Sequence, residues 1–166
     1  MTTAGLLDAA EGRSWLVALR RYLVFAAVAN LLWEFAQMPL YTIWLTGTVG
    51  ELVFAAVHCT GGDVLITLST LVLALLLIGA SDWPRANTGR VLAAALLFGV
   101  GYTIFSEWLN IELRGAWAYR DLMPVIPVID VGLSPVLQWV VVPLAAYACA
   151  TGWRPWRRAK GGPAHG

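Results

Sequence analysis

Charge is scarce in this chain: Asp, Glu, Lys and Arg make up 13% of its 166 residues, against 59% hydrophobic. With a mean hydropathy of +0.70, that balance excludes an ordinary soluble domain and gives the composition of a membrane protein. Histidine and cysteine occur twice each. Neither an H-E-x-x-H nor a C-x-x-C spacing appears, so the common zinc frameworks have no support. Also missing are a nucleotide-binding Gly-rich loop, a serine-nucleophile motif and a haem attachment sequence. ATPase, serine hydrolase and cytochrome roles are disfavoured accordingly.

What the chain does have is long apolar runs. Spanning a bilayer takes roughly 20 mostly apolar residues, and four such segments are read at about 22–44, 63–80, 91–111 and 133–152. The expectation is an all-α integral membrane protein, a bundle of four transmembrane helices forming a single membrane domain over 1–166. The leading run is too long for a signal h-region, and no A-x-A site followed by a polar mature domain follows it. It reads as a retained helix, preceded by a weakly amphipathic interfacial stretch at 6–19 and matched at the other end by a basic cytoplasmic tail, 153–166.

The near-zero net charge hides an asymmetry. Arg13, Arg20 and Arg21 precede the first span, Arg85 and Arg90 lie between the second and third, and Arg154, Arg157, Arg158 and Lys160 follow the fourth. Only Arg114 and Arg120 fall on the other side. The positive-inside rule then predicts both termini in the cytoplasm. Trp15, Trp83, Trp153 and Trp156 are expected at the inner interface, and Trp44, Trp108 and Trp117 near the outer one. Cys59 and Cys149 fall too far apart for a disulfide.

Both outer loops are unusual. Between the first two spans, the apolar stretch 51–57 is too short to cross and reads as an interfacial helix, broken by Gly61 and Gly62 before Thr60 or Asp63 caps the second span. Between the third and fourth, Pro124, Pro127 and Pro135 exclude regular helix around an apolar DLMPVIPVID centre. That Pro-rich outer loop is expected to fold back on the bundle.

The polar residues inside the spans are not scattered. Asn30, Glu34, Gln37 and Tyr41 are spaced i, i+4, i+7 and i+11, one narrow helical face. Thr103, Ser106, Glu107, Asn110 and Arg114 share a face of the third span, Asp63, Thr67 and Thr70 one of the second, and Ser134 and Gln138 one of the fourth. At about 1.5 Å of rise per residue, Glu34, Asp63, Glu107 and Gln138 all come out in the outer half of the bilayer. A charged residue at helix centre costs at least about 2.5–3.5 kcal/mol on insertion scales, so the stripes are expected to face inward and meet. Pro39 is expected to bend the first span beside them.

The candidate site that follows has Glu34, Glu107 and His58 as acid/base groups, with Asn30, Gln37, Asp63, Asn110, Arg114 and Gln138 binding a ligand. Hydrogen-bonding glue between helices explains Thr67, Thr70, Ser106 and Ser134 as well as a site does, but glue needs no ionisable group. Whether a metal binds is open, with His58 and Asp63 its weak candidates, and the cofactor is unknown. The favoured function is a non-catalytic subunit, an assembly factor or a small transporter- or channel-like component. The alternative is a cofactor-free acid/base enzyme acting on a lipid or isoprenoid. Four short spans bury little surface, which points to association with itself or with a larger membrane complex; the partner is the lipid bilayer, and no feature indicates nucleic acid.

The motifs WEFAQMPLY, EWLN, RGAWAYRDLMP and GLSPVLQW give the chain its one family likeness. Over about residues 25–143 it resembles uncharacterised small multi-pass inner-membrane proteins of bacteria. The resemblance implies a bacterial inner membrane and no particular activity.

Overall fold

The computed structural model describes residues 3–152 apart from Ala80, with side chains from Ser14 onward. The basic tail and its anchors, from Trp153 to His165, lie outside the described residues, as does the side chain of Arg13. Four helices are long and apolar enough to cross a membrane, with spans at Ser14–Leu40, Val49–Ile78, Thr88–Leu113 and Leu133–Thr151. They belong to helices α1 (Thr3–Gln37), α3 (Val49–Ile78), α4 (Thr88–Trp108) and α5 (Leu133–Thr151), with a short α2 (Ile43–Thr46) between the first two. α1 packs against α3 and α5, and α4 against the same two, so the helices close a ring. Val24, Val28, Leu32, Leu65, Leu76 and Leu97 point outward and are exposed. An apolar exterior of this kind suits lipid rather than water.

Three boundaries differ from expectation. α1 continues unbroken through 6–19 and across Arg20–Arg21, but it stops at Gln37 rather than near Trp44. Pro39 sits in a 3-10 turn, Met38–Leu40; proline has no amide hydrogen to continue the ladder. α3 starts at Val49, far ahead of Asp63, and absorbs the stretch read as a separate interfacial helix. Its start is a capping box: Thr48 N–H donates to Glu51 Oε2 at 2.7 Å, and Glu51 N–H donates to Thr48 Oγ1 at 3.4 Å. Gly61 and Gly62 each cost only about 1 kcal/mol relative to alanine. In lipid, the alternative of opening the backbone costs more.

Away from the polar stripes the bundle is filled by a close apolar core. Tyr22, Leu71, Ala74, Val91, Ala95, Val142, Ala146 and Tyr147 are all buried. Trp83, expected at the interface, is instead part of this core: its Nε1–H donates to Tyr147 Oη at 2.7 Å, and Tyr147 donates to Thr88 O at 2.8 Å. Midway along α4, Gly99 lets the ring of Trp139 approach so closely that an added Cβ would stand 2.6 Å from Cε3.

The Pro-rich segment between α4 and α5 is tied to the end of α1. Thr42 N–H donates to Ala118 O at 2.9 Å, Arg120 N–H to Leu40 O at 2.9 Å, and the Arg120 guanidinium to Pro39 O at 2.7 Å. Its centre is a two-residue antiparallel hairpin, β1 (Val125–Ile126) on β2 (Val131–Gly132), with Val125 opposite Gly132. Met123 and Val131 are buried, which accounts for the apolar character of the loop. Pro135 belongs to α5, in whose first turn a missing amide hydrogen costs nothing.

Candidate functional site

Gln138 of α5 is the meeting point of the stripes. Its side-chain nitrogen lies 3.0 Å from Asn30 Oδ1, 3.1 Å from Glu34 Oε1 and 3.1 Å from Asp63 Oδ2. Its oxygen accepts from Gln37 Nε2 at 3.1 Å, and the same Gln37 nitrogen lies 3.1 Å from Glu34 Oε1. Ser134 Oγ donates to Gln37 Oε1 at 2.9 Å and accepts from Trp33 Nε1 at 3.2 Å. α1, α3 and α5 are thus joined by one amide-centred network, with Asn30, Gln37, Asp63 and Gln138 all buried.

Asp63 reaches this network because it sits within α3 rather than at its start. The capping role expected for it is therefore overturned. Thr67 and Thr70 follow on the same buried face, and Thr70 donates to the backbone oxygen of Thr67.

A second group stands across the cavity on α4. Buried Glu107 accepts a hydrogen bond from Tyr119 of the Pro-rich loop. Tyr119 Oη in turn accepts from Gly132 N–H at 2.8 Å. Beyond Glu107, α4 passes into a π-helical turn, Leu109–Leu113, a distortion that re-aims side chains and is common at functional sites. Asn110 donates to Ser106 O at 2.8 Å and accepts from the Arg114 guanidinium at 3.3 Å. Arg114, expected among the ligand-binding residues, is held at the cavity by this bond to Asn110.

Between the two groups lies a cavity of about 850 Å³, lined by Glu34, Gln37, Asp63, Glu107, Asn110 and Gln138 among others. That volume falls in the range of small-molecule sites. His58 and Arg114 line it as well, but both are exposed, and His58 stacks on Phe54 at 5.5 Å between ring centres rather than bonding a carboxyl. Asn30 supports the network without lining the cavity. Among the described residues no group of three His, Cys, Asp and Glu side chains comes together as a metal site, and Cys59 and Cys149 are free thiols.

Two tyrosines and a tryptophan join the site beyond the residues expected to bind a ligand. Tyr41 and Tyr119 approach each other at 5.5 Å between ring centres. Burial first, then the neighbouring Glu107, pushes both hydroxyls well above the ordinary tyrosine range. They therefore stay protonated and act as donors. Trp117 also lines the cavity, and its Nε1 is buried with no hydrogen-bond partner. Tyr41 was legible in the sequence, since it completes the Asn30–Glu34–Gln37 stripe. Tyr119 and Trp117 sit in a loop with no period to read. No known protein family, no curated protein and no solved structure matches the chain.

Proposed function

We propose that this protein is a cofactor-free acid/base catalyst acting on a lipid-soluble, unsaturated substrate. One observation carries the reading: Glu34, Asp63 and Glu107 share a ligand-sized cavity in which, among the described residues, no Lys or Arg forms an ion pair with any of them. Ionisable residues inside a membrane pair with one another or with backbone carbonyls, and they mark substrate paths and proton relays. Proton transfer needs them uncompensated and facing open space.

The chemistry balances without an oxidant or reductant. One carboxylic acid gives its proton to one carbon of a double bond, leaving the positive charge on the other, and a carboxylate takes a proton from the saturated carbon attached to that second carbon, so the double bond moves by one position and the composition is unchanged. Gln37, Gln138 and Asn110 orient the polar end of the substrate, Trp117 Nε1 beside Glu107 offers it a donor, and the loop carrying Tyr119 excludes water. The packed core around Tyr22, Leu71 and Tyr147 supports a site open at one end rather than a path across the bilayer.

The arginine distribution supports both termini in the cytoplasm and the cavity toward the outer leaflet; the membrane we infer is a bacterial inner membrane. Self-association or a larger complex would cover part of the apolar exterior. The test is lipid and isoprenoid profiling of cells that lack the gene and carry wild type, E34Q, D63N or E107Q. One precursor is expected to build up in the deletion and in all three variants, and to disappear with wild type. Normal lipid profiles in all three variants, at wild-type protein levels, would show a non-catalytic subunit instead.

A further inference from the structure

A second concavity, of about 600 Å³, lies on the outside of the bundle where α1 meets α5, lined by Arg20, Arg21, Val24, Phe25, Val28 and Cys149 among others. Arg20 and Arg21 lie about 20 Å along α1 from Glu34 at 1.5 Å per residue, at the opposite end of the span from the polar cavity. Both are exposed, and neither has a hydrogen-bond or ion-pair partner among the described residues. From them an apolar wall of Val24, Phe25 and Val28 runs toward the middle of the bilayer. A double positive charge at the edge with an apolar trough below it complements one kind of molecule: a phosphate-bearing head with an acyl chain. Basic pockets between membrane helices take such heads.

We propose that this groove is a specific site for one anionic phospholipid, its phosphate held by Arg20 and Arg21 and one chain lying along Val24, Phe25 and Val28. The site is independent of the acid/base reading of the cavity.

The experiment places the full chain in phosphatidylcholine nanodiscs containing a minor fraction of phosphatidylglycerol and releases it for native mass spectrometry. Wild type is expected to retain a single phosphatidylglycerol. R20Q/R21Q should lower that bound fraction roughly tenfold, whereas R90Q, outside the groove, leaves it unchanged. V24W, which fills the trough but keeps both arginines, should lower it too. All variants are first shown to melt as wild type does, and R20Q/R21Q and V24W probe the site separately, so one that fails to fold does not remove the test. Equal retention of phosphatidylcholine, an equal loss in R90Q, equally tight binding of inorganic phosphate in detergent, or release of dimers without lipid would each overturn the proposal.

Discussion

Tyr119 donates its hydroxyl hydrogen to Glu107 while accepting the amide hydrogen of Gly132. One side chain therefore fastens the Pro-rich loop to α4 and sets the start of α5 at the same time. Gly132 is closely packed, since an added Cβ would meet Met123 Sδ and Tyr119 Cζ at 3.0 Å and both side chains would have to give way.

Removing that hydroxyl should loosen the loop without unfolding the bundle. Y119F is expected to cost about 1–3 kcal/mol, because it leaves the Glu107 carboxyl and the Gly132 amide each short of a partner. Hydrogen exchange should accelerate over residues 116–132 and remain slow in α3. E107Q, which keeps an acceptor oxygen, should show the smaller effect. Exchange that quickened equally in all four long helices would mean that Tyr119 supports the whole fold.

The same bond gives a pH dependence with a definite sign. The Tyr119 hydroxyl is held above its ordinary value of 10.0, so the stability it adds is complete below about pH 10 and is lost as pH rises through the higher folded value. In near-ultraviolet titration, the difference between wild type and Y119F should stay flat through pH 10 and grow only beyond it. A step centred at 10 would show that this phenol is open to solvent.

Gln138 should be the most sensitive position in the polar network. Q138L leaves Asn30, Glu34, Asp63 and Gln37 each short of a partner, and one unsatisfied buried group costs about 1–3 kcal/mol. A loss at or above the top of that range is expected in denaturant titration of the purified protein. Q138E, which adds a third carboxyl to Glu34 and Asp63, should be no better than leucine at neutral pH. A variant of wild-type stability at this position would mean that the three helices are held together elsewhere.

The waist of the bundle offers a paired test. G99A drives a methyl group into the Trp139 ring and should cost about 1–3 kcal/mol by overpacking. G101A, two residues on, meets no atom within 4 Å and should be close to neutral. Comparable melting temperatures for the two variants would show that Trp139 moves aside freely.

The parts of this arrangement that sequence revealed are those governed by helical period. Asn30, Glu34 and Gln37 share a face because 100° per residue puts them there, and the cost of polar groups in lipid dictates that the face turn inward. Gln138 and Asp63 followed at matching depth by the same arithmetic. The true start of α3 was hidden because Gly61–Gly62 resembles a break, and only the capping box at Thr48–Glu51 shows otherwise. The tie between Tyr119 and Glu107 was hidden for a different reason. It depends on how a prolyl loop folds over the end of α1, a matter of tertiary hydrogen bonds such as Arg120 to Pro39, and no spacing encodes it.

The Gln138 amide faces an arithmetic of its own. Its nitrogen carries two hydrogens, yet three oxygens, on Asn30, Glu34 and Asp63, stand within 3.1 Å of it. Whichever two it serves, the third needs another donor, and the Gln37 nitrogen, 3.1 Å from Glu34 Oε1, supplies it. The two amides therefore satisfy the cluster only together, Gln138 serving Asn30 and Asp63 while Gln37 serves Glu34 and the Gln138 oxygen. A guest that drew either amide away would strand an oxygen, so this side of the cavity rewards a molecule that brings a donor to replace the one it displaces.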